Sequence, residues 1–371
     1  MELAWNSAIL RSRPMLTITS VHVEPLSIEL TEPFGIATGT QYCADNVLVR
    51  LTLSDGTEGL GEAAPFPAVS GETRTQALEA LHATTADLVG KAARRWRPLC
   101  AEIWERIPQC PSAACALQSA LLDAWLKSHR CSMWSFFGGA EPMLQSDITL
   151  PTGDQGEAAA GAARAARMGF EILKVKVGAI APELDAERLI EVATRAPGAR
   201  LILDANGAYT SDQALALLAA LGPVRERVVL FEQPTAREDL QGLSRVLIEG
   251  KVAVAADESA RSSGDVLRLA HERAVDAINI KLMKSGLLGS LDMIALAKAH
   301  GLRLMIGGMV ESELAMSVSA CVAGGIGGFA WVDLDTPLFM KQTPFCGGFT
   351  RTGALLKLDE ILSGHGVGMR A

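Results

Sequence analysis

From about residue 147 onward the chain repeats one unit: a short apolar strand, a polar or charged residue at its C-terminal end, and an Ala/Leu-rich amphipathic helix such as LDAERLIEVATRA. The strand candidates are DITLP (147–151), ILKVKV (172–177), RLILDAN (200–206), VVLFEQP (228–234), VAVAADES (252–259), AINIKL (277–282), LRLMIGG (302–308) and FAWVDLD (329–335). The marked positions Lys176, Asp204, Glu232, Asp257, Lys281, Gly307 and Asp333 follow one another at near-equal intervals. Parallel strands need a crossover long enough to hold a helix, so this period predicts repeated βαβ units, and eight of them close into a barrel. A doubly wound sheet is the alternative, but no Gly-x-Gly-x-x-Gly follows a first strand.

The segment before this repeat reads differently. ITSVHVEPLSIEL and DNVLVRLTLSDGTEGLGEA alternate as strands do, with an SDG turn, and a helical stretch follows from about 72 to 138. The expected organisation is an N-terminal α+β capping domain at 1–140 and a catalytic barrel at 141–340. The tail, 341–371, has no place in the barrel and is expected to pack back on the cap.

The chain of 371 residues is 49% hydrophobic with net charge −8, which gives it ample core and no basic stripe for nucleic acid. No apolar run reaches the roughly 18 residues that span a membrane, and MELAWNSAILRSRP carries its positive charges after its apolar part, unlike a signal peptide. Met15 is a candidate start. The seven cysteines, Cys43, Cys100, Cys110, Cys115, Cys131, Cys321 and Cys346, form no Cys-x-x-Cys pair and fit reduced thiols in a cytoplasmic protein.

In such a barrel the site lies at the C-terminal strand ends. Asp204, Glu232 and Asp257 come from strands three, four and five, and three converging carboxylates call for a cation. A hard divalent ion with oxygen ligands, Mg²⁺, answers that need. Alternation puts Lys174 and Lys176 on the same inward face of strand two, and Lys281 ends strand six, four strands away. Like charge from the ion and between the lysines is expected to lower their pKa values and free one as a base. One base on each face of a substrate is the geometry for taking a proton from one side and returning it on the other.

The set LKVKVG, LDANGAY, FEQP, ADES and INIKLMKSG resembles the enolase superfamily, in its muconate-lactonizing subgroup, over essentially the whole chain. The resemblance implies a modified (β/α)8-type barrel, (β/α)7β, under an α+β cap. It implies Asp204, Glu232 and Asp257 as ligands of one Mg²⁺, Lys176 and Lys281 as the acid/base pair, and Lys174 as a helper on the substrate carboxylate. Asn206 and Glu258 would support the metal site. The histidine-based branches are disfavoured because strand seven ends in MIGGM.

Asp333 and Asp335 in WVDLDTP, two apart, share a face at the end of strand eight and need a cationic partner. They look like the Asp-x-Asp motif of dipeptide epimerases, which binds the α-ammonium of the dipeptide; MIGGMVES, with Met309, also resembles that family. Epimerases acting on Ala-Glu resemble this chain but carry arginine in the first lid loop, and no Lys or Arg occurs between Thr31 and Tyr42. The expected substrate is therefore a dipeptide with a neutral or hydrophobic C-terminal residue, contacted by Phe34, Ile36, Phe66 and Val69, with Met309 a further substrate-binding residue. The enzyme is expected to be a homo-oligomer. N-acylamino acid racemase, o-succinylbenzoate synthase and muconate cycloisomerase activities are enzymatic alternatives, and a non-catalytic binding protein on this scaffold is another.

Overall fold

A computed structural model describes residues 15–36 and 39–370. Its centre is an eight-stranded parallel sheet whose strands neighbour one another in chain order: Ile148–Leu150, Ile172–Lys176, Arg200–Asp204, Val228–Glu232, Val254–Ala256, Ala277–Ile280, Arg303–Ile306 and Phe329–Val332. The Asp147 N–H donates to the Val332 carbonyl at 2.8 Å, so the first strand meets the last and the barrel closes. Helices follow the first seven strands, while a 3₁₀ turn, Thr336–Phe339, follows the eighth. The arrangement is a (β/α)7β barrel with a strand-rich N-terminal layer.

Each strand stops short of the run read from sequence. LDAN, for example, pairs only to Asp204, so Asn206 lies just beyond the ladder, as Gln233 does beyond Glu232. Asn206 and Gln233 there have φ of 45° and 37°, a left-handed backbone that non-glycine residues adopt at a cost of order 1–3 kcal/mol.

Alternation stacks the interior in layers. Ile172, Ile202, Leu230, Ala255, Ala277, Met305 and Trp331 form one apolar floor, and the Arg303 guanidinium lies 4.7 Å over the Trp331 ring. Two positions further along the same strands stand Lys174, Asp204, Glu232, Asp257, Asn279, Gly307 and Asp333. The floor gives the polar layer above it no water from below.

The N-terminal layer is an antiparallel sheet of Ile18–Ile36, Gly39–Leu53 and Glu58–Ala63, followed by helices including Pro111–Ser128. Gly59 and Gly61 let the third strand lie against that helix: a Cβ would sit 2.1 Å from the Ala120 carbonyl oxygen and 2.0 Å from that of Ala116. From the C-terminal segment, His365 docks on this same helix, its backbone N–H donating to Asp123 Oδ1 at 3.0 Å.

Candidate active site

The polar layer is buried. Asp204, Glu232 and Asp257 are each fully shielded from solvent, as are Lys174, Lys176 and Lys281 to within a few per cent. Each carboxylate has one oxygen pinned by a neighbour. Asp204 Oδ1 accepts from the Asn206 N–H at 3.1 Å, Glu232 Oε1 from Asn279 Nδ2 at 2.8 Å, and Asp257 Oδ1 from Lys284 Nζ at 2.5 Å. The second oxygen of each meets lysine: Asp204 Oδ2 lies 2.9 Å from Lys174 Nζ and 2.6 Å from Lys176 Nζ, Glu232 Oε2 2.8 Å from Lys174, and Asp257 Oδ2 2.8 Å from Lys281. Glu232 Oε2 and Asp257 Oδ2 have no hydrogen bond of proper geometry. Three buried hard-oxygen donors, each oriented and each offering one oxygen to a cation, fit Mg²⁺.

The lowering expected of the lysines belongs to the site with its ion; the carboxylates by themselves pull two of them the other way. Burial pushes Lys174 down, but Asp204, Asp333, Glu232 and Asp147 together outweigh it and hold the ammonium well above the ordinary value. Burial likewise opposes, and Asp257 with Glu232 and Asp204 overcomes, at Lys281, which is raised. At Lys281 the like charge of Lys174 also opposes, and the carboxylates outweigh it.

Asn206 accepts from Lys176 at 3.2 Å and donates to Glu258 Oε1 at 3.2 Å. Burial, with Asp257 and Asp204 adding, pushes Glu258 up to about 7. Three neighbours of the site escape the sequence reading. Lys284 donates to Asp257 and to the backbone carbonyls of Asp257 and Asn279. Gln233 accepts from the Asp257 and Ser259 N–H groups at 2.9 and 3.1 Å and so holds strand five's end from strand four. Asp147 is the third.

Asp147, Asp333 and Asp335 present carboxylate oxygens all within 4.8 Å of one another, a closer gathering than Asp204, Glu232 and Asp257 make. Lys174 Nζ reaches Asp333 Oδ2 at 2.7 Å. Asp335 Oδ2 accepts from the Thr149 N–H, and its side chain does not cap the Thr336–Phe339 turn. Both Asp147 oxygens and Asp335 Oδ1 are buried without a partner. Burial with Asp333 beside it pushes Asp335 up to about 6.

A pocket opens onto this layer, walled by Phe66, Val69 and Met309 and floored by Lys174, Lys176, Lys281, Asn206, Asp333 and Asp335. Gly307 leaves Lys281 its path, since a Cβ there would lie 3.2 Å from Lys281 Cε and 2.9 Å from Asn279. The side chains of Phe34 and Ile36 lie outside the described residues.

Residues 17–138 match the model of the mandelate racemase / muconate lactonizing enzyme N-terminal domain, and residues 157–371 match the enolase C-terminal domain-like model. The chain belongs to this family, within the enolase superfamily. An aromatic dipeptide epimerase of Herpetosiphon aurantiacus is 48% identical over 95% of this chain and 99% of its own length. An L-Ala-D/L-Glu epimerase of Thermotoga maritima is 35% identical over 93% of this chain and all of its own. Among solved structures, the dipeptide epimerase of Enterococcus faecalis, complexed with Mg and L-Leu-L-Tyr, superposes with a TM-score of 0.90 at 30% identity, covering 95% of this chain and 99% of that one. No described helix is long and apolar enough to cross a membrane.

Proposed function

We infer that this family member is a Mg²⁺-dependent dipeptide epimerase that inverts the α-carbon of the C-terminal residue, with a preference for neutral or hydrophobic side chains. The observation that carries the reading is Asp335 beside Asp147: buried carboxylate oxygens without partners, next to a pocket that also holds lysines. A carboxylate in such a position calls for a cation.

The acidic side of the pocket supports a zwitterionic substrate. Asp147, Asp333 and Asp335 gather their carboxylate oxygens within 4.8 Å, and both Asp147 oxygens and Asp335 Oδ1 have no hydrogen-bond partner. A dipeptide brings an ammonium to that cluster, whereas an N-acylamino acid brings none and leaves the Asp335 side without a partner.

Asp204, Glu232 and Asp257 are the residues that would hold Mg²⁺, which supplies positive charge to the substrate carboxylate and eases loss of the neighbouring α-proton. Asp333 and Asp335 anchor the α-ammonium, which fixes the C-terminal residue's α-carbon between Lys176 and Lys281. One lysine, as the free amine, takes the proton from one face, and the other, as ammonium, returns one on the opposite face. The reverse reaction exchanges their roles. Asn206 steadies Lys176, and Lys284 steadies Asp257.

Phe66, Val69 and Met309 supply an apolar wall, and none of the described residues lining the pocket is an arginine. A glutamate side chain would lie there without a free cation, since the lining lysines are already paired. The test is incubation with Mg²⁺ and a pool of L,L-dipeptides in D₂O, read as a mass gain of one deuteron. Exchange at hydrophobic C-terminal residues supports the reading. Exchange of acidic dipeptides alone would overturn the preference, and exchange of N-succinylamino acids without dipeptides would overturn the activity.

A further inference from the structure

Glu62 stands near the end of the third strand of the N-terminal sheet and is almost wholly buried. Its Oε1 accepts from Asn46 Nδ2 at 2.7 Å and from the Ser312 N–H at 3.0 Å; its Oε2 accepts from Ser312 Oγ and from the Ala315 N–H at 3.2 Å. All four partners are donors, so the slot is shaped for a carboxylate, which accepts only. Three of them belong to the start of helix Glu313–Ile326, whose N-cap is Ser312. A carboxylate from the N-terminal sheet therefore docks on the positive end of a barrel helix.

The contacts run from there into the pocket on both sides. Asn46 Nδ2 also donates to the Val310 carbonyl at 2.9 Å. The Met309 N–H donates to Glu311 Oε1 at 2.7 Å, and Thr336 Oγ1 donates to the Glu311 carbonyl at 2.6 Å. Met309 and Thr336 are pocket walls. On the cap side, Phe66 and Val69 follow shortly after Glu62 in the chain and line the same pocket. The apolar walls contributed by the cap and by the barrel thus share one fixed point.

We propose that Glu62 is a positioning residue for substrate selection: it sets the gap between Phe66 and Met309, and with it the size of C-terminal side chain the pocket accepts. The proposal rests on the epimerase reading for its substrate but not for its structural part. A glutamine at this position turns one acceptor into a donor facing donors, and an aspartate keeps the charge but falls short of the helix.

Glu62→Gln and Glu62→Asp are compared with the Mg²⁺-loaded wild type in kcat and KM for L-Ala-L-Phe and L-Ala-L-Ala. Hydrogen–deuterium exchange of segments 64–72 and 307–312 is followed without substrate. The expected result is a KM for L-Ala-L-Phe raised about tenfold, a selectivity ratio over L-Ala-L-Ala reduced by a similar factor, and faster exchange in both segments with unchanged barrel strands. Equal losses on both dipeptides, or unchanged exchange at 307–312, would overturn it. Ser312→Ala, which removes one of the four donors, serves if the Glu62 variants fail to fold, and is held to the same two readouts. A wild type inert toward every dipeptide would sink the epimerase reading, and the exchange measurement would still decide whether Glu62 fixes both walls.

Discussion

Lys174, on the second barrel strand, reaches past the first strand to touch Asp333 at the end of the eighth, at 2.7 Å, while also contacting Asp204 and Glu232. One ammonium thus joins the carboxylates at the ends of strands three and four to the cluster of Asp147, Asp333 and Asp335. It is the one described lysine that pairs with carboxylates of both groups, while Lys176, Lys281 and Lys284 compensate Asp204 and Asp257.

Lys174→Met removes that compensation and leaves buried carboxylates facing one another. The metal-free variant is expected to lose about 3–5 kcal/mol of stability. Mg²⁺ should restore part of it by binding the folded state. Urea melts with and without Mg²⁺ check both effects, and a variant as stable as wild type without metal would contradict the role.

The two-base arrangement makes a stereochemical demand. Lys176→Ala and Lys281→Ala should each reduce interconversion of the two diastereomers by about 10²–10⁴-fold. Each should retain α-proton exchange for one diastereomer only, and the two variants should retain opposite ones. Proton NMR in D₂O reads this directly; equal residual exchange of both diastereomers in either variant would point to a single base.

Asp335→Asn weakens the ammonium anchor without changing shape. KM for a free dipeptide should rise about tenfold or more, with a smaller change in kcat. The same dipeptide carrying an N-acetyl group, a poor substrate for the wild type, should lose little further. Steady-state kinetics on the pair of substrates provides the check.

Glu311 adds a pH dependence to stability. Burial pushes its carboxyl up to about 8, with the Met309 N–H opposing and Glu62 adding. The folded value lies above the unfolded one, so between about pH 4.5 and 8 the folded state holds a proton that the unfolded state has lost. Its contribution is therefore fully present below about pH 4.5 and is lost as pH rises through 8. Glu311→Gln should flatten the decline in denaturation free energy between about pH 5 and pH 8, and an unchanged slope would assign the decline to other groups.

The barrel was legible in the sequence because its unit recurs and because strand alternation names the inward residues. Lys174, Asp204, Glu232, Asp257 and Asp333 occupy one layer for that reason. Asp147 was not legible. It begins a strand, whereas the rule for barrel sites looks to strand ends, and only the stagger of the closing strands brings it level with Asp333. Lys284 stands one helical turn after Lys281, where sequence alone does not tell a solvated lysine from one turned inward on Asp257. The pull of the carboxylates on the lysines was not legible, because spacing reveals which charges share a mouth but not how closely each carboxylate approaches. Glu62 was invisible for the plainest reason: Ser312 and Ala315, which supply most of its donors, stand near the opposite end of the chain.

The hydrogen bond from the Asp147 N–H to the Val332 carbonyl has a bearing on the order of events during synthesis. The residues flanking it, Asp147, Asp333 and Asp335, belong to the two ends of the barrel segment and come together only when the ring shuts. A ribosome-bound chain that has released seven strands carries the lysines and the Asp204, Glu232 and Asp257 carboxylates, but not the cluster of Asp147, Asp333 and Asp335. That cluster is thereby reserved for the finished molecule.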